Sequence, residues 1–208
     1  MQYKHILEMT AVCALLAKSG NYPATVSVRL GDDFLMTDPA KHPQEIREED
    51  IFKVTADKAA EGITLMHSKL YAARKDINSI ITYTSPYTKT AADVLDNLPA
   101  VLNDMARLVG HSVRTAADYT PAAVIKAIKR LNGCLVKEQG AVLSGRTLSK
   151  AYDATLAFER NVKAYIDASV LGGAVKISYF NALFIRLAYN IGHCRQNKPT
   201  VKSEVIKV

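Results

Sequence analysis

Long apolar runs are missing. No stretch approaches the roughly 20 apolar residues that carry a helix across a bilayer, so no membrane partner is expected. The chain opens MQYKHILEM, with no charged region leading into an apolar one, which is not the pattern of a secretory signal. Both absences point to a cytoplasmic protein. Cysteine is scarce: Cys13, Cys134 and Cys194 are the only three, too few and too scattered for a disulfide framework or a zinc knuckle. They are expected to be reduced thiols in the core or on the surface. Also lacking are an RNA-binding aromatic signature and zinc-finger spacing.

What is present is the make-up of an ordinary soluble globule. Of 208 residues, 49% are apolar and 23% charged, enough to bury a core without covalent staples. The net charge of +7 allows a nucleic acid or an anionic substrate as partner, but the charges are scattered. The nearest thing to a cluster, Lys126, Lys129 and Arg130, sits at helical spacing beside Val124, Ile125, Ile128 and Leu131. That is the pattern of a solvated helix face, so nucleic acid is not the expected partner. Arg195, Lys198, Lys202 and Lys207 form a basic tail.

Apolar side chains recur at helical spacing from Ile6 to Lys18 and stop at Ser19-Gly20-Asn21. Thr25–Leu30 alternates and is β-branched, Gly31-Asp32-Asp33 turns, and Phe34–Thr37 returns as a hairpin partner. Asp38-Pro39 and His42-Pro43 make a loop, and Ile51–Thr55 is a further strand. Ala59–Ala73 reads as a helix with Ile63, Met66, Leu70 and Ala73 on one face. Asn78–Thr84 reads as a strand, and Ser85-Pro86 caps and opens a helix. Tyr119-Thr120-Pro121 opens another, to about Leu131. Gly133–Lys137 and Ala141–Leu143 are strands joined at Gly140. Thr147 opens a long helix to about Val170, Gly172-Gly173 ends it, and Ile177–Tyr189 is a last helix. No repeat or linker interrupts the series, so residues 1–195 are expected to form a single α/β domain and 196–208 a polar basic tail. Hairpins near both ends predict a largely antiparallel sheet.

Several segments carry a resemblance. Ala72–Tyr87, AARKDINSIITYTSPY, is similar to A-R-P-D-x-x-A-V-V-H-x-H-S-P-Y, and Met66–Tyr71 to M-H-x-x-I-Y. Lys137–Gly140 occupies the place of R-N-H-G. Ser144–Leu148 with Ala151-Tyr152 is close to G-x-T-L-x-x-A-F. Val26–Arg29 resembles the end of G-N-I-S-V-R, and Leu35–Thr37 with Pro43 resembles L-I-T-P-S-G-x-x-P. In this order, from about Leu7 to Ile166, the motifs resemble the class II aldolase/adducin family. The resemblance implies a three-layer α/β/α domain around a largely antiparallel central sheet. It also implies kinship with zinc-dependent sugar-phosphate aldolases and epimerases, related dehydratases and the non-enzymatic adducin head. The enzymes of that family are commonly tetramers with sites between subunits.

The positions that matter most depart from the family pattern. The two histidines of H-x-H match Thr82 and Thr84, the third zinc histidine matches Gln139, and the catalytic carboxylate matches Ile63. Zinc wants imidazole, thiolate or carboxylate, and neutral hydroxyls and a carboxamide are poor replacements. Calcium and magnesium would want carboxylates, which these positions also lack. Ile63 has no atom that could shuttle a proton. The phosphate-binding Ser-Ser becomes Glu61-Gly62, where a carboxylate would repel phosphate; Gly-Asn becomes Ala24-Thr25, and Ser-Gly becomes Pro39-Ala40. His67 is expected to be a hydrogen-bonded, partly buried helix residue, Tyr83 to pack on the other face of its strand, and Glu61 and Lys137 to be solvated.

The expectation is therefore an aldolase-fold protein without zinc or zinc-dependent catalysis. It would bind a protein or a small polar ligand, or assemble with its own copies, a tetramer being the family's assembly. Thr25, Glu61, Gly62, Ile63, Thr82, Thr84 and Gln139 would line a vestigial cleft. The alternative is a divergent, metal-independent enzyme of lyase or epimerase type acting on a small sugar or carbonyl compound.

Overall fold

The computed structural model describes residues 2–20, 23–55 and 61–196, with side chains as far as residue 189. The element order is α1 (Gln2–Lys18), β1 (Ala24–Leu30), β2 (Asp33–Thr37), a 3₁₀ turn (Glu48–Asp50) and β3 (Ile51–Val54). Then come α2 (Gly62–Ala73), β4 (Ser79–Tyr83), α3 (Pro86–Val94), β5 (Asn97–Pro99), α4 (Asn103–Leu108) and β6 (Ser112–Ala116). The order closes with α5 (Pro121–Ile128), β7 (Gly133–Val136), β8 (Gly140–Gly145), α6 (Leu148–Val170) and α7 (Tyr179–Gln196).

The sheet runs β3-β2-β1-β4-β8-β7-β6-β5. Every pairing is antiparallel except β6 with β7. Because successive side chains of a strand point to opposite faces, the sheet divides two cores. Val26, Val28, Leu35, Ile81, Tyr83 and Leu143 face α1, α3, α4 and α6. Phe34, Met36, Ile80, Val136 and Val142 face α2 and α5. The result is the three-layer α/β/α domain expected from the sequence.

Capping explains where elements begin and end. Ser85 accepts from the Thr88 amide at 3.0 Å to start α3, with Pro86 in its first turn. Thr147 accepts from the Lys150 amide at 3.2 Å to start α6. Arg29 reaches from β1 to the carbonyls that end α2, donating to Tyr71 O (2.7 Å), Arg74 O (2.9 Å) and Ile77 O (3.1 Å). Those carbonyls have no partner within the helix, so one strand arginine fixes where α2 stops. Its guanidinium also lies 4.6 Å from the Tyr71 ring centre.

Several boundaries differ from the sequence reading. α1 starts at Gln2 rather than Ile6; its first turn is polar, with Lys4 and His5 both reaching Glu8, and apolar periodicity is blind to such a turn. α2 starts at Gly62 with Glu61 as N-cap, while Ala59 and Ala60 lie outside the described residues. Its buried face is Met66, His67, Leu70 and Tyr71; Ala73 is exposed and Ile63 half-buried. β4 stops at Tyr83, one residue short of Thr84. α5 stops at Ile128 rather than Leu131 because Lys129 takes a positive φ of 45°, and Arg74 catches the carbonyls of Lys129 (2.7 Å) and Leu131 (2.9 Å). α7 begins at Tyr179 and continues past Tyr189 to Gln196. Before it, Ile177 is held in the extended linker by the Ala100 carbonyl at 2.9 Å.

The sequence reading left 95–118 without elements. The structure places β5, α4 and β6 there. Asn161, buried on α6, organises this stretch: its carbonyl accepts from the amides of Val101 (2.8 Å) and Leu102 (3.0 Å), and its amide donates to Pro99 O (3.1 Å). Cys13 and Cys134 are buried free thiols, and burial pushes each up to about 12, as inert core thiols should be. The Cys194 side chain and the tail from residue 197 lie outside the described residues.

Candidate functional site

β1 and β4 run antiparallel, which brings the start of one beside the end of the other. Thr25 and Thr82 are direct cross-strand partners, so both side chains point to the α2/α5 face. Both are buried. Ile63, in the first turn of α2, and Tyr119, just before α5, close over them, and Pro39 and Gln139 complete the rim of a cleft of about 240 Å³. Pro23, Ala24, Tyr83 and Thr84 also border it.

Gln139 arrives through the β7–β8 turn, and glycine is what lets the turn come so close. Gly140 has φ of +111°, and a Cβ there would sit 2.4 Å from Tyr83 O and 2.9 Å from the Thr84 Cα, which no side chain tolerates. Glu138, also at positive φ (61°), is tied to Asp93 by its amide at 2.9 Å. With the turn held there, the Thr84 hydroxyl donates to the Gln139 carbonyl at 2.5 Å. The Thr84 amide donates to Pro23 O at 3.0 Å, so the pairing with the β1 edge continues one residue past β4. Thr82, Thr84, Gln139 and Ile63, far apart in sequence, thus meet at one place.

The described lining of the cleft carries no charged side chain. Among its described lining residues the only ionisable side chains are Tyr83 and Tyr119, and burial pushes both phenols above their usual range. Three threonine hydroxyls and a carboxamide supply the polar atoms. They can donate and accept hydrogen bonds to a ligand's hydroxyl or carbonyl groups, but they supply no charge. Among the described residues no group of three His, Cys, Asp or Glu side chains is placed to hold a metal ion.

Behind the cleft, Tyr83 packs in the opposite core, as its alternation with Thr82 predicted. Its hydroxyl donates to Glu159 at 3.2 Å, and Ser85 donates to the same oxygen at 2.9 Å. Burial raises the Glu159 carboxyl above the ordinary range, and the two hydroxyls only partly offset this. This α6 carboxylate ties the end of β4 to the cap of α3. Neither Glu159 nor Tyr119 was identified from the sequence; only the fold shows what each touches.

Other expected residues lie apart. Glu61 and Gly62 are exposed at the start of α2 and do not line the cleft, a correction to the vestigial set. Lys137 is exposed, as expected. His67 is fully rather than partly buried. Its Nδ1 lies 2.7 Å from Ser27 Oγ, which lies 2.8 Å from the Tyr71 hydroxyl, and its Nε2 has no hydrogen-bond partner. Burial pulls its pKa down to about 3, so the ring is neutral. His111 stacks edge-on against Tyr179, with ring centres 4.9 Å apart, and does not approach the cleft lining. The His193 side chain lies outside the described residues.

Comparison with known proteins gives one consistent answer. The family described as "Class II Aldolase and Adducin N-terminal domain" matches residues 7–166. A 5-methylthioribulose-1-phosphate/5-deoxyribulose-1-phosphate aldolase of Rhodospirillum rubrum is 23% identical over 152 residues, which is 67% of this chain and 69% of that protein. Among solved structures, an L-fuculose 1-phosphate aldolase superposes with a TM-score of 0.81 at 22% identity, covering 89% of this chain and 95% of its own. The L-fuculose-1-phosphate aldolase of Thermus thermophilus superposes with a TM-score of 0.74 at 20% identity, covering 84% and 100%. At these identities the structural likeness concerns the fold.

Proposed function

This chain belongs to the class II aldolase and adducin N-terminal domain family, and we propose that it is a member without zinc-dependent aldol chemistry, acting as a binding protein that assembles with its own copies. One observation carries this reading. The four positions that the resemblance equates with three zinc histidines and a catalytic carboxylate converge on one cleft, and they hold Thr82, Thr84, Gln139 and Ile63. A mistaken match of motifs would scatter those positions over the fold. Their convergence supports the match, and with it the conclusion that the chemistry is missing from the right place.

The donor set does not suit zinc. A threonine hydroxyl stays protonated near neutral pH and is a poor ligand, and a carboxamide oxygen is a weak one. Without a metal, charge developing on a substrate oxygen would have only neutral hydrogen-bond donors to stabilise it. Ile63, at the place of the carboxylate, cannot shuttle a proton. The relatives are named for sugar phosphates, and this cleft offers no cation to a phosphate among its described lining residues.

A second reading has its own support. The cleft persists, with Thr25, Thr82, Thr84 and Gln139 presenting hydrogen-bonding groups, a lining suited to a small uncharged sugar or carbonyl compound. A metal-independent enzyme on such a compound is the alternative.

The test is the metal content of the purified, untagged protein, measured by elemental analysis beside a zinc-replete member of the family, followed by an assay for cleavage of L-fuculose 1-phosphate. Trace zinc and no cleavage are expected. Stoichiometric zinc would overturn the reading. Turnover of an uncharged sugar or carbonyl compound by metal-free protein would replace it with the second.

A further inference from the structure

Lys126, Lys129 and Arg130 lie at the end of α5 and just after it, and by themselves they read as a solvated helix face. The fold sets a fourth cation opposite them. In β6, Val113 faces the α4/α6 core and Ala116 the α2/α5 core, so Arg114 points to the side on which α5 lies. There a groove of about 900 Å³ runs between the β5–β6 ribbon and the end of α5, bordered by Asn97, His111, Arg114, Lys129 and Arg130. A hollow of about 380 Å³ continues it past Arg114 and Ala127 to Lys126. All four cations are exposed, and none is ion-paired with a described carboxylate. Asp96 is the one carboxylate on the described lining.

Helix capping does not account for these charges. Cations are favoured near a helix C-terminus, but the carbonyls at this end are already met. Ile125 O and Ile128 O accept from the amides of Lys129 (3.1 Å) and Leu131 (2.8 Å), Lys129 O from Arg74 and Arg130 O from Arg186. Arg114 belongs to a strand and serves no helix end. A fifth cation stands close by. Arg186, half-buried on α7, donates to the carbonyls of Val109 and Arg130 and has no described carboxylate in ion-pair contact. Its charge is felt on the groove wall, where burial and then Arg186 lower the pKa of His111. A partly buried charge without a counter-ion is costly, and here it adds to an excess of positive charge that the chain itself leaves unmatched.

We propose that this groove binds a compact polyanion carrying two or more phosphoryl groups. It shares no lining residue with the cleft of Thr82 and Gln139: Tyr119 borders the cleft at the start of α5, and the groove lies at the other end. The site therefore stands whichever reading of the cleft holds.

Charge and shape select this class of ligand. Four cations against one carboxylate leave room for about three negative charges, and each phosphoryl group carries roughly 1.5–2. Tetrahedral phosphate oxygens accept from several directions at once, which suits donors on opposite walls, whereas a planar carboxylate is served by one fork. An added peptide strand is disfavoured at this edge of the sheet. Pro99 of β5 has no N–H, and its carbonyl already accepts from Asn161 at 3.1 Å. Single-stranded nucleic acid is disfavoured because no Phe, Tyr or Trp borders the described groove for bases to stack on.

The experiment is isothermal titration of the full chain with inorganic diphosphate at low ionic strength, where exposed charges are least screened. Citrate and a single-stranded oligonucleotide are titrated in parallel. The variants are Arg114→Gln, Arg130→Gln and, as a charge-matched control on α3 across the sheet, Lys89→Gln. Wild type and Lys89→Gln should bind one diphosphate per chain, and citrate more weakly. Arg114→Gln and Arg130→Gln should each bind roughly tenfold or more weakly, the loss expected for a charge-assisted hydrogen bond. Both side chains are exposed, so melts should match wild type; should one variant misfold, the other gives the same reading. No saturable binding by wild type, or arginine variants that bind like the control, overturns the site. Citrate binding as tightly as diphosphate overturns the phosphoryl preference, and tighter binding of the oligonucleotide overturns the compact ligand in favour of nucleic acid.

Discussion

His67 makes a sharp prediction about acid. The ring is fully buried between α2 and the sheet, with Nδ1 on Ser27 and nothing on Nε2. Either neutral tautomer can satisfy Ser27, whose hydroxyl can donate to Nδ1 or accept from it. Protonation would place a charge on a fully buried ring, and burial pulls the pKa down to about 3 from an unfolded value near 6.5. The sign follows from proton linkage. Below pH 6.5 the unfolded chain takes up a proton that the folded chain refuses, so stability is fully present above 6.5 and falls as pH drops towards 3. The loss is about 1.4 kcal/mol per pH unit in that window, or roughly 2 kcal/mol between pH 7.5 and 5.0, a large share of a typical 5–15 kcal/mol. Asp50 and Asp76 are held below the usual carboxylate range by Lys41 and Arg74 and titrate beneath it. His111, also lowered by burial, acts in the same direction, so His111→Gln serves as the control. Urea unfolding of wild type, His67→Gln and His111→Gln at both pH values measures the effect. His67→Gln should be less stable than wild type at pH 7.5, yet lose about 2 kcal/mol less on acidification. Parallel pH curves for wild type and His67→Gln would refute the argument.

Three further outcomes follow from the same structure. Gly140→Ala should cost about 3 kcal/mol or more, since the new Cβ meets Tyr83 O at 2.4 Å at a φ of +111°; a melt close to wild type would contradict the placement of the β7–β8 turn. Arg29→Met should cost about 2–3 kcal/mol by removing the guanidinium donors from the carbonyls of Tyr71, Arg74 and Ile77 at and after the end of α2, with Arg29→Lys recovering only part because one ammonium cannot reproduce the fork. The triple variant Thr82→His, Thr84→His, Gln139→His should acquire zinc by elemental analysis where wild type holds only traces, and adding Ile63→Glu tests whether the cleft can regain a proton shuttle. Failure of the triple variant to take up zinc while remaining folded would mean that Thr82, Thr84 and Gln139 do not meet as described.

Much of the architecture was legible in the residues because its signals are local. Alternation in Thr25–Leu30 and around Tyr83 gave strands and their two faces, and Ser85-Pro86 and Thr147 gave helix starts, because each signal needs only neighbours in sequence. What was missed has few residues or depends on distant ones. β5 and α4 are three and six residues long, too short for any period to show, and they are held by Asn161 from some 60 positions away. The end of α5 depends on Arg74, and the end of α2 on Arg29, partners that no helical pattern can announce.

The sequence by itself determined the chemistry available: Thr82, Thr84, Gln139 and Ile63 carry neither imidazole nor carboxylate wherever they lie. It also determined a single α/β domain with a largely antiparallel sheet, through periodicities of two and 3.6 residues that oblige each element to bury one face; the three-layer arrangement was what the family resemblance implied. Tertiary structure alone decided that those four side chains share a cleft, that Glu61 and Gly62 stand outside it, and that Tyr119 and Pro39 belong to it. It also decided that Arg114 joins Lys126, Lys129 and Arg130 around one groove. Residue identity sets what an atom can do, but proximity between residues distant in sequence exists only once the chain has packed.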